Sequence, residues 1–323
     1  MAEGYVIGVD LGGTKLLAGA VGADLSVIHR TNRPVYGLSQ DELVQMVADA
    51  VEEIRVAVGG EIEGIGFGIP CTFDSRTGMA VQAVNVPLKD VAFGEVMAAR
   101  LGAPVVVDND ANCHTVCESR LGIAQGATDV ALLTLGTGIG GGLILGGRPY
   151  RGSRGAAAEL GHFVVDMDGP PCPGRCPNNG CIESLVSGTA LRIEAERAIA
   201  ANPGSPLAAA AEAGGKIDGT VVTGLARAGD EISIRLLETM GRRLGVALTG
   251  LANVFDPDVM VIGGGVIDAG ELLLGPAREE FERRALTPQR ETPIKAAELG
   301  ADAGMIGASI LGLEELAASG TAA

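Results

Sequence analysis

Two stretches of the chain share one hydrophobic pattern. Tyr5-Val6-Ile7-Gly8-Val9 is an apolar run ending in Asp10, Gly12-Gly13 follows, and apolar character resumes at Leu16-Leu17-Ala18-Gly19-Ala20-Val21. Two short apolar runs flanking a double glycine predict a β-hairpin, not a strand opening into a helix. The pattern recurs at Val130–Leu135, a glycine-rich 136–142, and Leu143-Ile144-Leu145. Between them, the spacing of Leu43, Val47, Val51, Ile54 and Val58 predicts a helix over 41–58. Further strands are expected at 62–69, 104–107 and 259–262, and helices at 93–101, 111–121, 184–200, 229–252, 271–284 and 304–317. Strand, glycine turn, strand, then helix and strand, in both halves, reads as a duplicated α/β unit.

Composition narrows the classes. At 323 residues the chain has room for two domains. A net charge of −16 argues against a nucleic-acid partner, whose phosphates it would repel, but not against a small nucleotide held by backbone amides and Mg²⁺. The start, MAEGYVIGVDLGGTK, has acidic residues early and no basic segment, so no export signal is expected. The uncharged stretch 130–147 is too rich in glycine to be a membrane-spanning helix. Cysteines grouped at metal spacing fit a reducing cytoplasm better than a disulfide framework.

Several motifs carry candidate chemistry. In Asp10-Leu11-Gly12-Gly13-Thr14-Lys15 a carboxylate at a strand end precedes glycines, a hydroxyl and an amine. Glycine lets backbone approach phosphates, Thr14 and the amides donate, and Asp10 can hold Mg²⁺ through water. The alternative is an ordinary hairpin turn. Gly136-Thr137-Gly138-Ile139-Gly140-Gly141 matches a dinucleotide fingerprint formally, but a strand follows it where that motif needs a helix. It reads better as a second phosphate hairpin. Gly263-Gly264-Gly265 either packs under an adenine or ribose or is a crowded strand-to-helix turn. Asp108-Asn109-Asp110 ends an apolar strand, and Asp110 is a candidate general base, with a helix N-cap as the plain alternative. His114, Cys113 and Cys117 read as ordinary helix residues.

Glu159, His162, Cys172, Cys176, Cys181 and Glu183 form the densest ligand cluster. Pro170, Pro171, Pro173, Gly174, Pro177 and Gly180 keep the segment out of regular helix or strand. A stiff loop with thiols at this spacing is of the kind that zinc organises; buried free cysteines are the alternative.

Taken together, DLGGTK at 10–15, DNDAN at 108–112, TLGTGIGGG at 134–142, ELGH at 159–162, CPNNGCIE at 176–183 and IGGG at 262–265 resemble the ROK family of sugar kinases and regulators. The similarity runs from Val6 to about Gly312 and is strongest to the glucokinase-type members. It implies a two-domain α/β fold of the actin and hexokinase (ribonuclease H-like) type with the active site in the cleft. The expected domains are 1–114, joined by the C-terminal helix 304–323, and 115–303 with the zinc loop.

The resemblance also implies ATP-dependent phosphorylation of a hexose, glucose first, at the 6-hydroxyl. Kinases for an N-acetylated hexosamine, fructose or mannose are alternatives. Asp110 matches the catalytic base. Asn85, Asn109, Glu159, His162 and Glu183 match sugar-contacting positions, and His162, Cys172, Cys176 and Cys181 are the expected ligands of a structural Zn²⁺. Asp10, Gly12, Gly13, Thr14, Lys15, Thr137, Gly138, Gly264 and Gly265 are expected to serve ATP and Mg²⁺. A homodimer or homotetramer is the implied assembly. The family's sugar-sensing regulators carry a DNA-binding segment before the kinase-like part, for which a hairpin starting at residue 5 leaves no room. Polyphosphate as donor would favour a basic channel, and this chain is acidic. The chain departs from the family pattern in having Gly174 and Pro177 where a cysteine and a glycine are usual, with Cys172 two residues before the expected place. The aromatic residue that often follows the Asn-x-Pro segment is absent too.

Overall fold

A computed structural model of the chain describes residues 4–83, 85–173 and 176–320. In chain order the first elements are β1 (Tyr5–Leu11), β2 (Lys15–Gly22), β3 (Val27–Pro34), α1 (Gln40–Val58), β4 (Ile62–Ile69), β5 (Cys71–Asp74), β6 (Met79–Ala83) and β7 (Lys89–Val91). Next come α2 (Phe93–Leu101), β8 (Val105–Asn109), α3 (Asp110–Arg120), β9 (Val130–Leu135), β10 (Ile139–Leu145) and β11 (Arg148–Pro149). The rest are α4 (Ile182–Val186), α5 (Gly188–Ala201), α6 (Pro206–Glu212), α7 (Gly219–Arg227), α8 (Glu231–Phe255), β12 (Val259–Gly263), α9 (Glu271–Arg284), β13 (Ile294–Ala296) and α10 (Ala303–Ser319).

Two compact units result. One comprises residues 1–126, 142–158 and 298–323, the other 127–141 and 159–297. Residues 115–126, 142–158 and 298–303, assigned from the sequence to the second domain, therefore lie in the first unit. The physical reason is local: α3 packs on α10, and Arg151 is bonded to Asp108.

The first unit is built on a sheet in the order β3-β2-β1-β4-β8. β1 and β2 form the expected antiparallel hairpin, while β4 and β8 run parallel to β1. Helix α1 begins with a capping box between Ser39 and Glu42 and buries Leu43, Val47, Val51 and Ile54 on one face. Each such side chain stabilises the unit by roughly 1.5–3 kcal/mol. Phe67 of β4 meets Phe93 of α2 edge-on, with ring centres 5.5 Å apart. Helix α10 lies so close to β1 and β4 that a Cβ on Gly8 or Gly66 would run into the carbonyls of Met305 or Ala308. Only glycine fits at those two strand positions.

The second sheet has the order β11-β10-β9-β12-β13, the same arrangement as the first: an antiparallel meander followed by two parallel strands. This is the duplicated unit read from the hydrophobic pattern. The chain passes from the second unit to the first within β10, between Gly141 and Gly142. Helix α8 buries Leu237, Met240, Leu244, Leu248 and Leu251, and Gly241 and Gly245 let the α9 backbone come close.

Several elements differ from the sequence reading. β3 was not expected, because VIHRTNRP is polar and largely exposed; it is an edge strand paired only to β2. The small sheet β5-β6-β7 and helices α6 and α7 were also not foreseen. The single helix expected over 184–200 is two, because Ser187 has extended backbone and its hydroxyl caps α5 by accepting from Ala190 N.

Candidate active site

In the first unit, β1 delivers Asp10 to its C-terminal end, and the turn after it closes with Gly12 N donating to Lys15 O at 2.8 Å. A Cβ on Gly13 would lie 2.7 Å from Asn85 Cβ, so the glycine lets Asn85 rest against this turn. Thr14 contributes its carbonyl to Val35 N, and Lys15 is exposed at the start of β2. Asp10, Gly12, Gly13 and Asn85, expected to serve phosphate and sugar, are thus held on one unit, with the turn and Asn85 in contact.

β8 then runs parallel to β4 and ends in the Asp-Asn-Asp segment. Asp108 is 5% exposed and fully engaged. Its Oδ1 accepts from Asn109 N at 2.7 Å and Asn112 Nδ2 at 2.8 Å, and its Oδ2 accepts from Arg151 Nε at 2.6 Å. Burial works against the Arg151 charge, but Asp108 and Glu315 outweigh it and hold the guanidinium pKa above its ordinary value. Asn109, not Asp110, is the N-cap of α3, accepting from Ala111 N at 2.9 Å. Asp110 is the first residue of the helix, where the helix N-terminus favours a carboxylate.

His114 is not the ordinary helix residue the sequence suggested. One turn along α3, its Nε2 lies 3.8 Å from Asp10 Oδ2. A Cβ on Gly304 of α10 would sit 2.8 Å from that nitrogen, so a glycine there leaves room for the pair. Burial pushes the His114 pKa down, while the hydrogen bond and charge of Asp10, with Asp110 and Glu118, push it up; the carboxylates win and the net shift is upward.

In the second unit, the glycine turn between β9 and β10 closes with Gly136 N donating to Gly138 O at 2.9 Å. Gly188 N donates to Gly136 O, and Thr189 Oγ1 to Thr137 O at 2.7 Å, which ties the turn to the N-terminus of α5. Glu183, on α4, is buried and accepts from Ile139 N at 2.8 Å. A Cβ on Gly138 would collide with that carboxylate. Beside the turn is a cavity of about 750 Å³ lined by Thr137, Thr189, Arg192, Lys216, Arg227 and Gly265, among others. Gly264, at φ 82°, begins the turn that leads from β12 towards α9, and a 3₁₀ turn over Gly265–Ala269 separates strand and helix. Sequence reasoning missed Arg192, Lys216 and Arg227. They sit on or beside α5 and α7, and no motif announces them.

The cysteine loop is irregular, as its prolines require, and is held by isolated bridges pairing Val164 with Cys181 and Pro171 with Asn179. His162, Cys172, Cys176 and Cys181 each present a ligand atom, all within 4.8 Å of one another. Cys176 Sγ and Cys181 Sγ are 3.8 Å apart, and Cys172 Sγ is 3.5 Å from His162 Nδ1. Tetrahedral zinc with bonds near 2.3 Å to sulfur sets thiolates about 3.8 Å apart. A Cys₃His donor set at this spacing fits zinc, and no two sulfurs are within disulfide distance. Cys172 stands in this group despite its displaced position in sequence; Gly174, the usual cysteine position, lies outside the described residues. Cys172 Sγ is also 3.7 Å from Glu183 Oε1, so Glu183 lies between the thiol cluster and the glycine turn. Glu159 is exposed, yet the chain around it desolvates its carboxyl and pushes the pKa up; the His162 ring opposes this and the Glu183 charge adds to it.

Among the described residues no helix is long and apolar enough to cross a membrane. Against known proteins, a family profile described as "ROK family" matches residues 6–315. A glucokinase of Streptomyces coelicolor is 35% identical over 319 residues, covering 96% of this chain and 98% of its own. The crystal structure of a ROK family glucokinase from Streptomyces griseus in complex with glucose and AMPPNP is 34% identical, with a TM-score of 0.85 over 96% of this chain and 100% of that one. The ROK hexokinase from Thermus thermophilus is 33% identical, with a TM-score of 0.81 over 97% and 99%. The match spans both sheets, both glycine turns and the cysteine loop, and the chain belongs to the ROK family.

Proposed function

We propose that this chain transfers the γ-phosphoryl group of ATP to the 6-hydroxyl of a hexose, with glucose the first candidate. The observation that carries this reading is the β8–α3 junction. There Asn109 Oδ1 caps the helix by accepting from Ala111 N, and Asp110, the first helical residue, accepts from the same amide through Oδ1, so the junction fixes the Asp110 carboxylate at the end of β8. The near full-length similarity to glucokinases supports the same reading.

Phosphoryl transfer depends on placement and charge neutralisation more than on covalent chemistry. Asp110 accepts the hydroxyl proton as the new O–P bond forms. Asn85 and Asn109 are the candidate sugar contacts of the first unit, and Glu159, His162 and Glu183 those of the second. In the first unit the amides at Gly12-Gly13 and Lys15 are candidate phosphate donors; in the second the amides of the glycine turn after β9 bind phosphate and the cavity beside Thr137 and Gly265 takes the nucleoside end. Mg²⁺ would neutralise the phosphates when bound, and Asp10 would be the carboxylate that holds it through water. His162, Cys172, Cys176 and Cys181 would hold a structural zinc. With Nδ1 beside Cys172 Sγ, His162 keeps Nε2 for a sugar hydroxyl. Thiols grouped at metal spacing fit work in a reducing cytoplasm, and assembly as a homodimer or homotetramer belongs to the same proposal.

The test is a coupled ADP assay with ATP against glucose, mannose, fructose, N-acetylglucosamine and N-acetylmannosamine, on the parent and on Asp110→Asn. Glucose turnover that falls by roughly 10³-fold or more in the variant, with sugar binding retained, is the expected result. Turnover of another sugar alone would reassign the substrate, and near-parental kcat in the variant would remove the base. Light scattering on the purified chain decides the assembly.

A further inference from the structure

We propose that Arg151 is a positioning residue for the catalytic turn, acting through Asp108 on Asn109 and Asp110. The inference rests on the reading of Asp110 as base. Arg151 follows β11 and is the one cation bonded to Asp108 among the described residues, its Nε 2.6 Å from Asp108 Oδ2. Its Nη1 reaches Glu315 of α10 at 3.0 Å. The side chain therefore spans two carboxylates, one at the end of β8 and one on the helix packed against that strand.

The anchor is rigid at both ends. Arg151 O accepts from Ala157 N, and Arg154 O accepts from Ser75 N, so the loop carrying Arg151 is closed on itself and tied to the turn between β5 and β6. At the other end, Asp108 bonds Asn109 N and Asn112 Nδ2 through Oδ1, while Arg151 takes Oδ2. The Asp108 carboxylate thus joins the Arg151 loop, through Oδ2, to the turn that presents Asn109 and Asp110, through Oδ1. Removing the guanidinium leaves a buried carboxylate oxygen without its cation, and the cheapest relief is for Asp108 to rotate and pull Asn109 N and Asn112 with it. A displacement of about 1 Å at a reacting group costs on the order of 10²-fold in rate. Salt bridges of this kind are often only structural, so the distinguishing readout is catalytic.

Steady-state kinetics with glucose and ATP on Arg151→Ala, with melting curves and with ethylguanidinium added, test this. The expected result is kcat lower by about 10- to 100-fold. KM for both substrates should stay within about threefold, and added ethylguanidinium should restore part of kcat. A kcat within about twofold of the parent overturns the proposal. So does a loss that ethylguanidinium does not restore in a variant that keeps its melting transition. If Arg151→Ala does not fold, Arg151→Lys replaces it. That variant keeps a charge near Asp108 but cannot span both carboxylates, so an intermediate fall in kcat at unchanged KM is expected, and parental kcat overturns the proposal. Asp110→Asn, run in parallel, separates the failures. If it keeps its kcat, the base reading is wrong whatever Arg151 does; if it is dead while Arg151→Ala is unaffected, only the positioning role falls.

Discussion

His114 Nε2 lies 3.8 Å from Asp10 Oδ2, joining the helix that begins at Asp110 to the strand that leads into the first glycine turn. The carboxylates of Asp10, Asp110 and Glu118 raise the folded-state pKa of His114 above its ordinary 6.5. A group raised on folding contributes stability that is fully present below the unfolded pKa and is lost as pH rises through the folded one. Denaturant melts of the nucleotide-free, Mg²⁺-free protein from about pH 5.5 to pH 9 should therefore show a loss of stability towards high pH that His114→Gln lacks. Parallel pH profiles would mean that the pair carries no net charge interaction.

Gly138 sits where any side chain would strike the Glu183 carboxylate. Gly138→Ala should destabilise the second unit by about 1–3 kcal/mol through overpacking. It should also raise KM for ATP, because the Ile139 amide that Glu183 holds belongs to the same turn. A variant with parental melting temperature and parental KM would show that the turn can shift without cost.

Cys172 is the candidate ligand displaced in sequence but present in the four-residue group. Elemental analysis of the purified parent should find roughly one zinc per chain. Cys172→Ser should weaken zinc retention by more than the roughly 10- to 100-fold that outer-shell changes cost. Full retention against a chelator would mean that another group completes the site.

Ala158, just before Glu159, has φ 66°, in the left-handed region that disfavours a Cβ. That conformation costs a non-glycine residue on the order of 1 kcal/mol or more. Ala158→Gly should relieve it and gain about 0.5–1 kcal/mol once glycine's larger unfolded-state entropy is deducted. Equilibrium unfolding measures this directly, and a destabilised variant would refute the strain.

Arg192 lines the cavity beside Thr137 and, among the described residues, pairs with the exposed Glu196 in its own helix. Arg192→Ala should raise KM for ATP several-fold, about 1 kcal/mol of binding, with KM for glucose unchanged. An equal rise in both would place the residue outside the nucleotide subsite.

Much of the architecture was legible because its signals are local. Two apolar runs around Gly12-Gly13, and again around 136–142, specify hairpins from neighbouring residues alone, and their repetition announced two matching sheets. Helix α1 carries its own start signal at Ser39 and Glu42 and its own apolar face. The ligand cluster was legible because His162 and its three cysteines fall in a single proline-rich loop. Other features had no local signal. β3 is polar and exists because β2 offers it an edge. Helices α6 and α7, rich in Ala and Gly, lack a long apolar period, so the cavity cations beside them stayed hidden.

The sequence by itself determined the elements whose patterns are complete within a few turns: hairpins, the capped helix, the thiol loop and the Asp-Asn-Asp strand end. Only the tertiary structure decided that His114 meets Asp10, that Arg151 spans Asp108 and Glu315, and that Glu183 lies between the thiol cluster and the glycine turn. Those partners lie far apart in the chain, and no spacing rule relates them. The first two meetings follow from sheet pairing and from how closely glycine lets α10 approach β1 and β4; the third follows from the packing of the second unit.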